Sequence, residues 1–231
     1  MRFLSYISNM TKNLDNFGLK SIVDNYDLFF IDLWGVVHNG IKLYEDSIEV
    51  LDNLSKAKKN FVLLTNAPRP NENVINFLKK IGLKKYFENV FTSGEAAHQY
   101  LVSELYKKKF FHIGPPRDFD LFKNIEKNNV VNIEDCDYLL CTGLFDEHEN
   151  DLNYYKNLLS NHISKKLICT NPDLIVDRGE IREYCAGSVA KTFEEIKGRV
   201  IYFGKPHPPV YNLSTNTKDK KVLCIGYNLN T

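Results

Sequence analysis

A run of six residues near the start of the chain, 28–33, is apolar at every position except Asp32. Such a run is typical of a strand that is covered on both faces, as in the centre of a parallel sheet. A turn containing Gly35 follows directly, so Asp32 stands close to the carboxyl end of the predicted strand. Because open α/β sheets bind their ligands at that edge, Asp32 is a candidate functional residue.

Helical and strand patterns alternate along the first part of the chain. Apolar residues recur at helical spacing in residues 48–57, 70–81 and 94–106, and short strand-like runs occupy residues 61–64 and 90–93. Gly82 is placed to end the second of these helices. The β-α-β-α-β-α order predicts an α/β fold with a Rossmann-like, doubly wound parallel sheet.

The rest of the chain repeats this pattern in two parts. Three further strand-like runs occupy residues 110–114, 137–143 and 167–171. We interpret residues 107–190 as a smaller α/β domain that is inserted into the first one. The first domain would then consist of residues 1–106 and 191–231, and its last two strands would lie at residues 199–203 and 221–227.

The composition narrows the classes of protein to consider. The chain has 231 residues, of which 43% are hydrophobic and 26% charged, as in ordinary soluble globular proteins. A net charge of +1 indicates neither nucleic acid nor an anionic membrane as a partner. The five cysteines include no C-x-x-C pair, which favours reduced thiols in a cytoplasmic protein. No apolar stretch reaches the ~18 residues that a membrane span requires.

Polar residues follow four of the predicted strands: Asp32, Thr65 with Asn66, Lys205, and the turn at Gly226. In this order, with an inserted domain between the second and the third, the set resembles the motifs of the haloacid dehalogenase superfamily of phosphohydrolases. The inserted domain is similar to the α/β cap of the class IIA group. The resemblance extends over nearly the whole chain, and it rests on the order and spacing of motifs that are weak individually.

The resemblance implies a role for each of these residues. Asp32 matches the nucleophile that attacks phosphorus and forms an aspartyl-phosphate. Thr65 matches the residue that hydrogen-bonds the transferring phosphoryl group, with Asn66 beside it, and Lys205 matches the lysine that neutralises charge. Mg²⁺ in this family bridges the nucleophile and the phosphate, so the implied metal ligands are Asp32 and the backbone carbonyl of Trp34.

The resemblance also implies which residues contact the substrate, a small phosphorylated metabolite. Gly35 lies in the turn after the nucleophile, and Asn171 and Asp173 lie in a segment that resembles the family's cap–core interface, where substrate is selected. For Asp173, a place in a surface loop is the alternative. His38 and His207 lie beside the predicted site, and we interpret both as loop histidines rather than catalysts.

Two positions depart from the family's pattern. The usual first motif is Asp-x-Asp, whose second acid protonates the leaving alcohol and later activates water, help worth ~10²–10⁴-fold in rate. Trp34 occupies that position here, as a packing residue or as a ring that stacks on the substrate. In the fourth motif Tyr227 replaces an acid, and the sequence ends at Thr231 before the second acid. We therefore expect a weakened Mg²⁺ site and an impaired phosphatase.

A protein of another class stays an alternative: a catalytically silent remnant that keeps the phosphate pocket and binds a small molecule or a partner. The last predicted strand would be less covered than its apolar run requires, and an exposed strand edge favours association. A truncated or decaying copy, a chain completed by a partner, and a homo-oligomer all stay open. A dinucleotide-binding dehydrogenase is disfavoured, because no G-x-G-x-x-G turn follows the first strand.

Overall fold

Two four-stranded parallel sheets organise the protein in a computed structural model, which describes residues 17–178 and 181–226. The strands, in chain order, are β1 (Leu28–Asp32), β2 (Asn60–Thr65), β3 (Val90–Thr92), β4 (Phe110–Ile113), β5 (Tyr138–Cys141), β6 (Lys166–Cys169), β7 (Ile175–Arg178), β8 (Ile181–Tyr184), β9 (Arg199–Tyr202) and β10 (Val222–Ile225). The α/β class with a Rossmann-like parallel sheet is thereby confirmed.

Six α-helices lie in the described residues, and most of them connect successive strands. They are α1 (Glu45–Lys56), α2 (Asn71–Lys80), α3 (Ser93–Glu104), α4 (Leu152–Leu159), α5 (Ala186–Glu195) and α6 (Pro208–Ser214). The first three confirm the helical spacing in the sequence, and the N–H of Gly82 donates a hydrogen bond to the last turn of α2. None of the helices in the described ranges is long and apolar enough to cross a membrane.

The first sheet has the order β10-β1-β2-β3, which places β1 in its interior. Alternate side chains of β1 enter two hydrophobic clusters. Phe29 and Ile31 pack with residues of α1 and α2, whereas Leu28 and Phe30 pack with residues of α3 and α6. Because both faces are covered, every residue of β1 is buried. This explains the nearly unbroken apolar run, and it places Asp32 at the carboxyl edge of the sheet.

The second sheet has the order β4-β5-β6-β9 and shares part of its core with the first. On one face, Leu139 packs in a cluster with Tyr155 of α4 and Phe193 of α5. On the other face, Leu140 belongs to the same cluster as Phe30 of β1. A continuous hydrophobic cluster therefore joins the two sheets.

The predicted end of the inserted domain at residue 190 is wrong. β9 pairs in parallel with β6, with Val200 opposite Leu167, and α5 contributes Phe193 to the core of the second sheet. The second unit therefore runs to at least Tyr202, and β10 alone of the last two strands joins the first sheet. An apolar run predicts a buried strand, but the sheet that it joins depends on contacts distant in sequence.

The antiparallel pair β7–β8 was not predicted from the sequence. It follows β6 and ends at Tyr184, whose side chain lines the cavity described below. β10 forms an edge of the first sheet within the described ranges, and its side chains are half-buried or exposed, unlike those of β1. Tyr227 and the rest of the predicted fourth motif after Gly226 lie outside the described residues.

Candidate active site

A buried ion pair occupies the carboxyl end of β1. The Lys205 Nζ atom lies 2.6 Å from Oδ1 of Asp32, and the two side chains are 5% and 6% exposed. The N–H of Leu33 also donates a hydrogen bond to Asp32 Oδ1, at 2.8 Å. Burial raises the pKa of the Asp32 carboxyl group, and the neighbouring ammonium group of Lys205 opposes the rise. Each charge compensates the other, because either one alone would be costly to bury.

Asn66 connects the ion pair to the second unit. Its Oδ1 atom accepts a hydrogen bond from the backbone N–H of Lys205 at 2.7 Å, and its Nδ2 group donates to the carbonyl of Lys205 at 3.1 Å. The same Nδ2 group donates to Oδ1 of Asp173 at 2.9 Å. Thr65, the last residue of β2, is buried beside it, and its hydroxyl accepts a bond from the N–H of Ala67 at 3.3 Å. One buried amide thus holds the lysine loop and the Asp173 segment together.

Two glycines allow the segment with Pro172 to lie against the lysine loop and α5. A Cβ atom on Gly204 would lie 2.3 Å from Cδ of Pro172, and one on Gly187 would lie 2.2 Å from the carbonyl oxygen of Pro172. Real Cβ atoms do not approach neighbours this closely. Pro172 is therefore packed between the backbone of Gly204 and that of Gly187. This close packing fixes the segment from Asn171 to Asp173 beside the ion pair.

The ion pair faces a cavity of about 360 Å³ between the two units. Its walls include every residue predicted for the site except Gly35: Asp32, Trp34, Thr65, Asn66, Asn171, Asp173 and Lys205. The N–H of Gly35 donates to the carbonyl of His38 at 2.8 Å and so closes a turn instead. A larger open groove of about 1010 Å³ shares Asp173 and Lys205 with this cavity but does not reach Asp32.

Trp34 packs inside the turn that follows β1. A Cβ atom on Gly40 would lie 2.7 Å from its ring, and the ring meets His38 edge-to-face, with centroids 5.6 Å apart. His38 is 4% exposed, and burial lowers its pKa to about 4. Its Nδ1 atom accepts a hydrogen bond from the N–H of Gly40 at 3.0 Å. His38 is therefore neutral near pH 7 and holds the turn, as expected of a loop histidine.

Comparisons with known proteins agree with this geometry. Residues 29–127 match the model of a family described as haloacid dehalogenase-like hydrolase. A crystal structure of a haloacid dehalogenase-like hydrolase from Brucella suis is 32% identical, with a TM-score of 0.73, and the match covers 84% of this chain and 75% of that one. The chain belongs to the haloacid dehalogenase superfamily, class IIA. No curated protein matches it.

Two solved phosphatases share the fold. The 4-nitrophenylphosphatase of Thermotoga maritima is 26% identical, with a TM-score of 0.65, and the match covers 83% of this chain and 73% of that one. The glycerol phosphate phosphatase of Mycobacterium tuberculosis, solved in complex with magnesium, is 22% identical, with a TM-score of 0.65. That match covers 91% of this chain and 64% of the other.

The donors expected to hold Mg²⁺ in this superfamily are present in part. The Asp32 carboxylate and the Trp34 carbonyl are oxygen donors, which Mg²⁺ prefers, and Mg²⁺ commonly completes its shell with water and substrate phosphate. Within the described ranges, no group of three or more His, Cys, Asp or Glu side chains could hold a metal ion. In the described part of the chain, the Asp32 carboxylate and the Trp34 carbonyl are therefore the donors that would hold the ion.

Several cavity residues were not predicted from the sequence. Arg69 lies in the loop after β2, and its Nε atom is 3.6 Å from Oδ1 of Asp118, a buried acid in the second unit. Burial raises the pKa of Asp118, and Arg69 opposes the rise. Arg117 beside it pairs with Asp146 at 2.7 Å. The position of Arg69 in a loop that follows the carboxyl end of a strand could have identified it as a site residue from the sequence. Asp118 gave no such indication, because it reaches the cavity only through the packing of the two units.

Proposed function

We propose that this protein is a phosphatase of the class IIA type that acts on a small phosphorylated metabolite through an aspartyl-phosphate on Asp32. The observation that carries the proposal is the buried Asp32–Lys205 pair, 2.6 Å apart, at the carboxyl end of β1 and on the wall of the cavity. A cavity of about 360 Å³ is suited to a small ligand. Asp32 is the last residue of β1, an interior strand, so the sheet fixes the position of its carboxylate.

The chain's own residues would perform two displacements at phosphorus. An oxygen of the Asp32 carboxylate attacks the phosphorus atom, the bond to the substrate oxygen breaks, and the alcohol leaves. Water then attacks the phosphorus of the aspartyl-phosphate, which releases inorganic phosphate and restores Asp32. Lys205 offsets negative charge in both transition states, and the Thr65 hydroxyl binds a phosphoryl oxygen. The Asn66 side chain, whose amide group is already bonded to Lys205 and Asp173, positions these two residues beside the substrate.

Mg²⁺ is part of the proposal as a cofactor, held by the Asp32 carboxylate and the Trp34 carbonyl. When bound, it neutralises charge on the phosphoryl oxygens and allows one anion to approach another. Few ligands among the described residues support the expectation of a weakened site. The magnesium-bound phosphatase from Mycobacterium tuberculosis supports the metal by likeness of fold.

Trp34 supports two versions of the function. In the first, the enzyme turns over slowly, because an indole cannot exchange a proton with the leaving oxygen or with water. In the second, the protein is a silent remnant that binds a phosphorylated small molecule or a partner through the same pocket. Both versions need Asp32 and Lys205 in the cavity wall, so a turnover assay must separate them.

The test measures phosphate release from a panel of small phosphomonoesters, with Mg²⁺ or with EDTA, for the native protein and Asp32→Asn. We expect metal-dependent release by the native protein and loss of release in Asp32→Asn, which keeps the size of the side chain and removes the nucleophile. Asp135→Asn, at an exposed acid that does not line the cavity, is the matched control. Native activity in Asp32→Asn would refute the nucleophile, and a folded native protein that releases no phosphate would support the silent version.

A further inference from the structure

One of the carboxyl groups on the cavity wall besides the nucleophile is that of Asp173, which belongs to the second unit. Asp173 lines the same cavity as Asp32 and Lys205. It lies 141 positions away from Asp32 in the sequence, and only the approach of the two units brings it to the site. Its Oδ1 atom accepts a hydrogen bond from the neutral amide of Asn66 at 2.9 Å. Among the described residues its carboxyl group forms no ion pair, unlike that of Asp32.

The backbone around Asp173 is closely fixed. The N–H of Asp173 bonds to Oδ1 of Asn171 at 3.0 Å, and Pro172 is packed between Gly187 and Gly204. Together with the bond from Asn66, these contacts hold the carboxyl group in one place on the cavity wall. A group that transfers a proton to a substrate atom must be held within hydrogen-bond reach of that atom. The contacts around Asp173 meet the need for a fixed position.

The environment of Asp173 favours a carboxyl group that can carry a proton. Burial raises its pKa, the negative charge of Asp32 adds to the rise, and the Asn66 hydrogen bond and Lys205 oppose it. Two carboxyl groups in different environments can divide the tasks of nucleophile and proton donor between them. Here Asp32 is paired with Lys205, whereas Asp173 is bonded to a neutral amide.

Other titratable groups on the cavity wall are less suited to this task. Asp118 has Arg69 3.6 Å away, which favours its ionised form. His38 is neutral near pH 7, and its Nδ1 atom already accepts the bond from Gly40. Glu183, which lies half-buried on β8, has partners of its own. Asp173 is the remaining acid on this wall.

We propose that Asp173 replaces the acid that Trp34 displaces from the first motif and is the proton donor and acceptor of this site. In the first displacement its carboxyl proton passes to the substrate oxygen as the phosphorus–oxygen bond breaks, so the product leaves as a neutral alcohol. In the second displacement the resulting carboxylate accepts a proton from the attacking water, which restores the acid. The role rests on the proposed function, and it makes an element of the inserted unit catalytic.

The test compares two substrates in Asp173→Asn. This variant keeps an oxygen that can accept the Asn66 hydrogen bond, and it cannot exchange a proton. For glycerol phosphate, whose alkoxide needs a proton in order to leave, we expect kcat to fall about 10²–10⁴-fold. For 4-nitrophenyl phosphate, whose phenolate leaves unaided, we expect a retained burst of one equivalent, followed by slow turnover because the water step has lost its base.

Asp118→Asn is the matched control, since it removes a different acid from the wall of the same cavity and should not discriminate between the two esters. An Asp173→Asn variant that slows the release of both leaving groups equally, or slows neither, would overturn the role of Asp173. If instead Asp32→Asn is active, or the native protein hydrolyses neither ester, the proposed function itself fails and Asp173 has no reaction to serve. One assay therefore distinguishes three outcomes: support for the role of Asp173, rejection of that role, and failure of the proposed function.

A measurement on the native protein decides the question if Asp173→Asn does not fold. The rates of aspartyl-phosphate formation from a series of substituted phenyl phosphates are plotted against the acidity of the leaving phenol. Proton donation by the enzyme predicts a shallow dependence, because no full negative charge develops on the leaving oxygen. A steep dependence would show that the phenolate leaves without a proton and would overturn the proposal.

Discussion

Lowering the pH from about 7.5 to about 5 should destabilise the protein through two buried histidines, His38 and His112. Burial lowers the pKa of each to about 4, against 6.5 for an exposed imidazole. His38 lies between the rings of Trp34 and Phe77, and His112 is 7% exposed, with its Nε2 atom 2.8 Å from Oγ1 of Thr142. In the folded protein both rings therefore stay neutral at a pH where the unfolded chain binds protons.

The sign and size follow from proton linkage. Each histidine has a folded-state pKa below its unfolded value, so its stabilising contribution is present above pH 6.5 and is lost as the pH falls towards 4. At about pH 5 the unfolded form of each ring gains about 2 kcal/mol over the folded form, or about 4 kcal/mol for both. Raised pKa values of buried carboxyl groups act in the opposite direction, so a comparison with variants is needed to isolate the histidines.

Urea unfolding at the two pH values, for the native protein, His38→Asn and His112→Gln, measures this contribution. Asparagine places an oxygen near the position of Nδ1, which suits the bond from Gly40, and glutamine places a polar group near Nε2, which suits Thr142. We expect each variant to lose about 2 kcal/mol less than the native protein between the two pH values. An identical loss in native and variant proteins would refute the assignment of neutral, buried imidazoles.

Two further substitutions probe the packing of the site. Gly204→Ala places a Cβ atom 2.3 Å from Cδ of Pro172, so we expect a loss of about 1–3 kcal/mol and of phosphatase activity. Gly143→Ala, whose added Cβ atom would lie 3.0 Å from its nearest neighbour, should cost clearly less when both variants are compared by thermal unfolding, and equal costs would contradict the packing. Thr92→Val removes the hydroxyl that accepts from the N–H of Glu95 at 2.9 Å and donates to the carbonyl of Arg69 at 2.5 Å. It should lower the free energy of unfolding by about 1–2 kcal/mol in urea, and an unchanged value would show that this helix cap contributes nothing.

Local patterns were sufficient to predict the elements of the first sheet. The run that ends in Asp32 is apolar because β1 packs on both faces, and the helical spacing around Leu51 reflects one covered face of α1. Such patterns record burial and period, which are properties of short segments. The resemblance to haloacid dehalogenase motifs extended them to Thr65 and Lys205, both of which line the cavity.

The sequence by itself determined the α/β class, the place of Asp32 at a strand end, and the presence of Trp34 rather than an acid two residues later, because each depends on residues close together in the chain. The tertiary structure decided that β9 joins the second sheet, and that Asn66 and Asp173, 107 positions apart, share a hydrogen bond. Strand pairing and the meeting of two side chains depend on which surfaces bury most when the whole chain packs. The spacing of apolar residues along the sequence does not indicate which strands pair or which distant side chains meet.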